Sequence, residues 1–295
     1  MRLGRFRHFA AIDWSGAAGE RHRGIAVALC PAGDAAPDLV RPGHRWSRSE
    51  VLDWLLHELP TDTLVGFDMS MSFAHADRGA YFPGWADSPA DARALWALVE
   101  KLCGGEPDLA ATTFADHPGL SPHFRRHGGR EGAAFGANGQ KGGQGRFRQT
   151  EHGQARAGCR PYSNFNLVGA AQVGKGSLAG MRLLHRVSGV HAIWPFDPLP
   201  AHGSVLVEIY TALAAIAAGR TAARSKIRDW DELDIALGAL GSQPAARHAA
   251  LTDHAADALL TAAWLRQVAH DPALWAPALL TPQLAQREGW TFGAR

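Results

Sequence analysis

Four acidic residues lie at or near the ends of apolar runs. Asp13 closes Phe9-Ala10-Ala11-Ile12-Asp13, Asp68 closes Leu64-Val65-Gly66-Phe67-Asp68, and Glu208 follows Val205-Leu206-Val207. Asp257 sits among Ala256, Ala258, Leu259 and Leu260, four residues after Asp253 and three after His254, which puts these side chains near one helix face. Isolated carboxylates are costly to bury, and several brought together repel and take up protons. Magnesium or manganese resolves that conflict, because hard divalent cations favour oxygen ligands. Two such ions about 4 Å apart can clamp the attacking and leaving oxygens of a phosphodiester. Asp13, Asp68, Glu208 and Asp257 are therefore the expected catalytic set. Asp13, Asp68, Asp253 and Asp257 are the expected metal ligands, with His254 near them.

Each residue also has a structural reading. Asp13, before Trp14-Ser15-Gly16, and Asp68, before Met69-Ser70, both suit Asx-turns. Glu208 suits the solvent side of an alternating strand, and Asp253 suits a helix start facing the macrodipole. Histidines such as His254 are more often satisfied surface or core residues than ligands. Asp257 fits a structural role least well, because its neighbours are apolar.

The elements that must position these acids read as β-β-β-α-β. Strands are expected at 9–13, 24–30 and, as a weak edge broken by Pro42 and Gly43, 40–46. Ser49 suits the N-cap of a helix to Leu59 with an apolar stripe through Val51, Leu52, Leu55, Leu56 and Leu59, and Pro60 stops it. The nearly continuous apolar run 63–68 suits a central strand parallel to the first, since a helix separates them. Asp13 and Asp68 would then share one sheet end. Helices are expected over 91–102, 177–187, 212–218 and 230–240 and from Thr252 onward, with further strands at 190–194 and 204–209.

Residues 125–160 carry Gly128-Gly129, Gly142-Gly143 and Gly145 among Arg125, Arg126, Arg130, Lys141, Arg146, Arg148, Arg156 and Arg160, opposed by Glu131 and Glu151. Such a stretch reads as a long mobile basic loop. Its arginines suit phosphate contacts, and Phe124, Phe135, Phe147 and Tyr162 suit stacking on unpaired bases. A solvated loop is the plainer alternative. Ser15, Arg146, Arg148 and Lys175 are the expected substrate contacts. Gly174-Lys175-Gly176-Ser177 lacks the glycine spacing of a full phosphate-binding loop, and Ser177 reads best as a helix N-cap.

The chain has 295 residues, 46% of them hydrophobic, and a formal net charge of +2, so basic surface must be local. Cys30, Cys103 and Cys159 form neither a disulfide framework nor a zinc motif. No segment suits a signal peptide or a spanning helix, so a cytoplasmic protein without a membrane partner is expected.

The order of elements, Asp13 with its Trp-Ser-Gly turn, Asp68 ending the fourth strand and Asp257 on the closing helix resemble the ribonuclease H-like superfamily. Asp253-His254-Ala255-Ala256-Asp257-Ala258-Leu259 is similar to the closing helix of its Holliday-junction-resolvase branch. Val207-Glu208-Ile209-Tyr210 and Glu288-Gly289-Trp290-Thr291-Phe292-Gly293 resemble a family of uncharacterised predicted nucleases of that fold. The resemblance covers about 7–75 and 200–295 and leaves 76–199 as an insert within a single domain, 1–295. It implies an α/β fold with a five-stranded mixed sheet flanked by helices, and metal-dependent cleavage of DNA or RNA. One departure is the catalytic glutamate that the family carries on the helix after the third strand: that helix here offers Glu50, Asp53 and Glu58. Two rivals remain: an ATP-binding phosphotransferase of the actin and sugar-kinase type, and a non-catalytic nucleic-acid-binding protein.

Overall fold

In the computed structural model, which describes residues 3–126, 128, 130–136, 144–169, 172–221 and 226–295, the chain opens with an antiparallel meander. Its strands are β1 (His8–Asp13), β2 (Ala26–Pro31) and β3 (Asp38–Leu39). The third strand is shorter and earlier than 40–46, because the chain turns at Arg41 and Gly43, both with positive φ. Helix α1 (Arg48–His57) is capped by Ser47 rather than Ser49. The Ser47 hydroxyl accepts the Glu50 N–H, and the Glu50 carboxylate accepts the Ser47 N–H, which closes a capping box. β4 (Thr63–Asp68) then runs parallel to β1.

The middle of the chain adds α2 (Ala92–Cys103), a hairpin of β5 (Arg125–Arg126) and β6 (Arg130–Glu131), α3 (Gln149–Arg156) and α4 (Val173–Val187). α4 begins before Ser177, whose hydroxyl donates to the Val173 carbonyl at 3.1 Å instead of capping the helix. The expected mobile loop over 125–160 is replaced, among the described residues, by this hairpin and by α3. Arg146 and Arg148 are buried in ion pairs rather than solvated. Gly129, Lys141, Gly142 and Gly143 lie outside the described residues.

β7 (Ala192–Ile193) and β8 (Val205–Glu208) complete the sheet, followed by α5 (Thr211–Ala217), α6 (Trp230–Ala239), α7 (Asp253–Val268), α8 (Pro272–Trp275) and α9 (Pro282–Arg287). The strand order is β3-β2-β1-β4-β8-β7, with β4, β8 and β7 parallel to β1. The sheet is thus mixed and six-stranded, not five-stranded, because β7 pairs onto β8 at the edge.

Helices cover both faces. Ile12, Phe67 and Leu206 pack with Val51 of α1, Val99 of α2 and Leu183 of α4. Ala11, Leu64 and Val207 pack with Ala214 of α5, Leu237 of α6 and Leu259 of α7. Alternation along a strand then decides where each acid points. Asp13 has the parity of Ala11, and Asp68 that of Leu64, so both project to the α7 face. Glu208 has the parity of Leu206 and projects to the other. A Cβ on Gly66 would stand 2.7 Å from Ile209 and 2.9 Å from Leu265, so glycine there lets α7 approach β4 closely. No helix among the described residues is long and apolar enough to cross a membrane.

Candidate active site

Asp13 and Asp68 are register partners at the carboxyl ends of β1 and β4. Asp257 reaches the same end from the second turn of α7, whose N-cap Thr252 accepts the Ala255 N–H at 3.1 Å. Asp13 and Asp257 are 6% and 8% exposed, and Asp68 is half-buried. Two basic side chains stand among them. His254 Nδ1 lies 2.9 Å from Asp13 Oδ2, and Lys226 Nζ donates to Asp257 Oδ2 at 2.5 Å. Asp253, at the first position of α7, lies farther out, with Arg228 at 3.8 Å and His254 Nε2 at 4.0 Å.

The electrostatics favour protons on these acids. Burial raises the Asp13 carboxyl above its ordinary value, against the pull of His254 and Lys226. Burial pushes Asp257 up to about 6, with Lys226 opposing. Asp68 is driven furthest, first by burial and then by the charges of Asp13 and Asp257, while Lys226 and the Thr211 backbone N–H act the other way. Among the described residues Asp68 has no ion-pair partner, and its side-chain neighbour is the Thr211 hydroxyl at 3.5 Å. The hydrogen bond to Asp13 raises His254 despite its burial.

A cleft lined by Asp68 and His254, and also by Glu151 and Glu208, has a volume of about 400 Å³. Trp14 and Ser15 form one side, the start of α4 another, and Tyr162 and Tyr210 a third. The Trp14 indole N–H donates to the Gly176 carbonyl at 3.0 Å, which ties the Asp13 turn to α4. Gly16 permits that approach, because a Cβ there would lie 2.2 Å from the Gly176 nitrogen. Ser15 lines the cleft, and its Oγ accepts the Ala17 N–H at 3.2 Å.

Other expected site residues are engaged in different contacts, although Glu208 also lines this cleft beside Asp68. Glu208 is buried and saturated. It accepts the Met71 N–H at 2.8 Å, Arg148 at 2.6 and 2.8 Å, and the Thr291 hydroxyl at 2.5 Å. Arg148 also holds Glu151 at 2.6 Å, and the two glutamates keep its guanidinium charged despite burial. Glu208 and Arg148 thus form a buried ion pair beside the cleft, with Glu208 on the sheet face opposite to that of Asp13 and Asp68. Arg146 is spent on Asp77 and on the carbonyls of Ala74, Ala80 and Tyr81. Lys175 lines a neighbouring recess with Arg48 and Glu20 rather than the aspartate cleft. On α1, Glu50 belongs to the capping box and Glu58 pairs with Arg41 at 2.5 Å.

Lys226 and Thr211 were not expected from the sequence. Lys226 lies in a basic stretch with no periodic pattern, so nothing distinguished it from Lys and Arg neighbours. Thr211 directly follows the Glu208-Ile209-Tyr210 segment, and the pairing of β8 beside β4 brings it to Asp68.

Among the described residues, no three His, Cys, Asp or Glu side chains are already grouped as a metal shell. The contacts explain this: Asp13 is turned to His254, and Asp257 to Lys226. The donor set nonetheless suits a hard cation in type and charge, since three aspartates share two basic partners. No family model, curated protein or solved structure matches the chain.

Proposed function

We propose that this chain is a divalent-cation-dependent nuclease of ribonuclease H-like architecture. The observation that carries the reading is the convergence of Asp13, Asp68 and Asp257 from β1, β4 and α7 at one sheet end. The strand order supports the architecture: an antiparallel meander, then β4 and β8 parallel to β1, with a helix closing over the acids. Open α/β sheets place their sites at the carboxyl ends of parallel strands, where these acids stand.

In this reading Asp13, Asp68 and Asp257 are the residues that would hold Mg²⁺ or Mn²⁺, with Lys226 paired to Asp257 in its absence. A bound cation supplies Lewis-acid polarisation of a phosphoryl oxygen and neutralises developing charge. His254 orients Asp13 through Nδ1. Lys226 keeps Asp257 compensated and offers a positive charge to a phosphate oxygen. Trp14 and the start of α4 wall the cleft and restrict water.

An actin- or sugar-kinase-like phosphotransferase would need a second such sheet around a nucleotide. Beyond the six-stranded sheet, the described residues form only a two-stranded hairpin, which favours the nuclease. The test is cleavage of single-stranded, duplex, hybrid and branched oligonucleotides with Mn²⁺ or Mg²⁺. Cleavage that EDTA and Asp68→Asn both abolish supports the proposal. An inert protein with every substrate and both metals overturns it.

A further inference from the structure

The cleft has an aromatic side that the carboxylate chemistry does not use. Tyr162 is 49% exposed and lines the cleft, so its ring is accessible to a ligand there. Pro161 and Val173 line the same cleft, and Val173 is itself 39% exposed at the start of α4. Trp14 lies deeper, edge-on to Phe67 with ring centroids 5.7 Å apart. Asp68 and His254, the partner of Asp13, therefore share one slot with the exposed Tyr162.

The size of that slot limits what reaches the acids. Its 400 Å³ falls at the small end of ligand pockets, which run from roughly 300 to 1,000 Å³. A nucleotide with its base fits such a space, whereas a stacked and paired helix cannot bring a phosphodiester to a recessed group without freeing a nucleotide first. Exposed aromatic rings bind unpaired bases by stacking, which tolerates any sequence because every base has a π face.

We propose that the aspartate cleft admits one unpaired nucleotide with its base against Tyr162, so that the substrate is single-stranded nucleic acid or a strand end freed from a duplex. This rests on the nuclease reading for the chemistry, but not for the binding.

The test is fluorescence anisotropy of the full chain with a fluorescein-labelled oligothymidylate, with Ca²⁺ in place of Mg²⁺, against the same strand in a blunt duplex. The single strand should bind at least tenfold tighter. Tyr162→Ala should weaken it roughly tenfold, and Tyr162→Phe should leave it unchanged, since the π face is retained. Equal affinity for strand and duplex overturns the inference, as does an unaltered Tyr162→Ala or failure to bind either probe. Cleavage of the same two probes in Mn²⁺ separates the claims. Selective binding without cleavage defeats the nuclease reading and upholds this one, whereas cleavage of both probes at equal rates does the reverse.

Discussion

Asp13 and Asp68 end neighbouring parallel strands as register partners, which places a buried and a half-buried carboxylate side by side on the sheet face that α7 covers. Folding alone does not favour that arrangement, since burial and mutual repulsion both act against it. Asp68→Asn removes a repelled charge while keeping the shape of the side chain. It should abolish metal-dependent cleavage yet raise unfolding free energy at pH 7 by about 1–2 kcal/mol, the trade-off expected where a strained site serves activity. Thermal denaturation in EDTA checks this. An Asp68→Asn protein less stable than wild type would mean that Asp68 is held for structure.

The raised acids also set a direction for pH. Unfolded Asp257 loses its proton near 3.8 and folded Asp257 at about 6. Between those values the folded chain holds more protons, so raising the pH favours unfolding. The contribution of Asp257 to stability should therefore fall across this window by about 2–3 kcal/mol. Denaturant titrations in EDTA at several pH values measure it as the difference between wild type and Asp257→Asn. A difference that runs the opposite way would contradict the placement of Asp257.

Lys226 and a cation compete for Asp257. Lys226→Gln should lower the Mn²⁺ concentration that half-saturates cleavage by several-fold, because Asp257 no longer has to leave an ion pair held at 2.5 Å. A metal requirement that rises would show that Lys226 assists binding instead.

Glu208 and Arg148 should behave as structure. Arg148→Met leaves Glu151 and Glu208 buried without their cation and should cost about 3–5 kcal/mol. Glu208→Gln should cost less, because Arg148 keeps Glu151. The diagnostic is a lowered melting temperature in both variants. Loss of cleavage at an unchanged melting temperature would return Glu208 to the catalytic set.

Much of the sheet was legible from local pattern. The run 63–68 matches β4, and the apolar run before Asp13 matches most of β1, because turn residues bound both. The pairing of Asp13 with Asp68 followed from one intervening helix. The sheet face of Glu208 was not legible because Val205, Leu206 and Val207 are all buried, so the strand shows no alternation from which to read it. The arginines at 146 and 148 read as substrate contacts because their glycine-rich surroundings hide their partners, and Asp77 and Glu208 are distant in sequence. Ser47 was passed over as a cap in favour of Ser49, although Glu50 three residues on completes its capping box.

The most direct test of the central claim is isothermal titration calorimetry of Mn²⁺ into the wild-type chain, Asp13→Asn and Asp68→Asn at pH 7.5. The account predicts saturable binding to the wild type that each substitution weakens at least tenfold, with both variants folded. Absence of Mn²⁺ binding to the wild type, or equal binding by all three proteins, would contradict a cation site shared by Asp13 and Asp68.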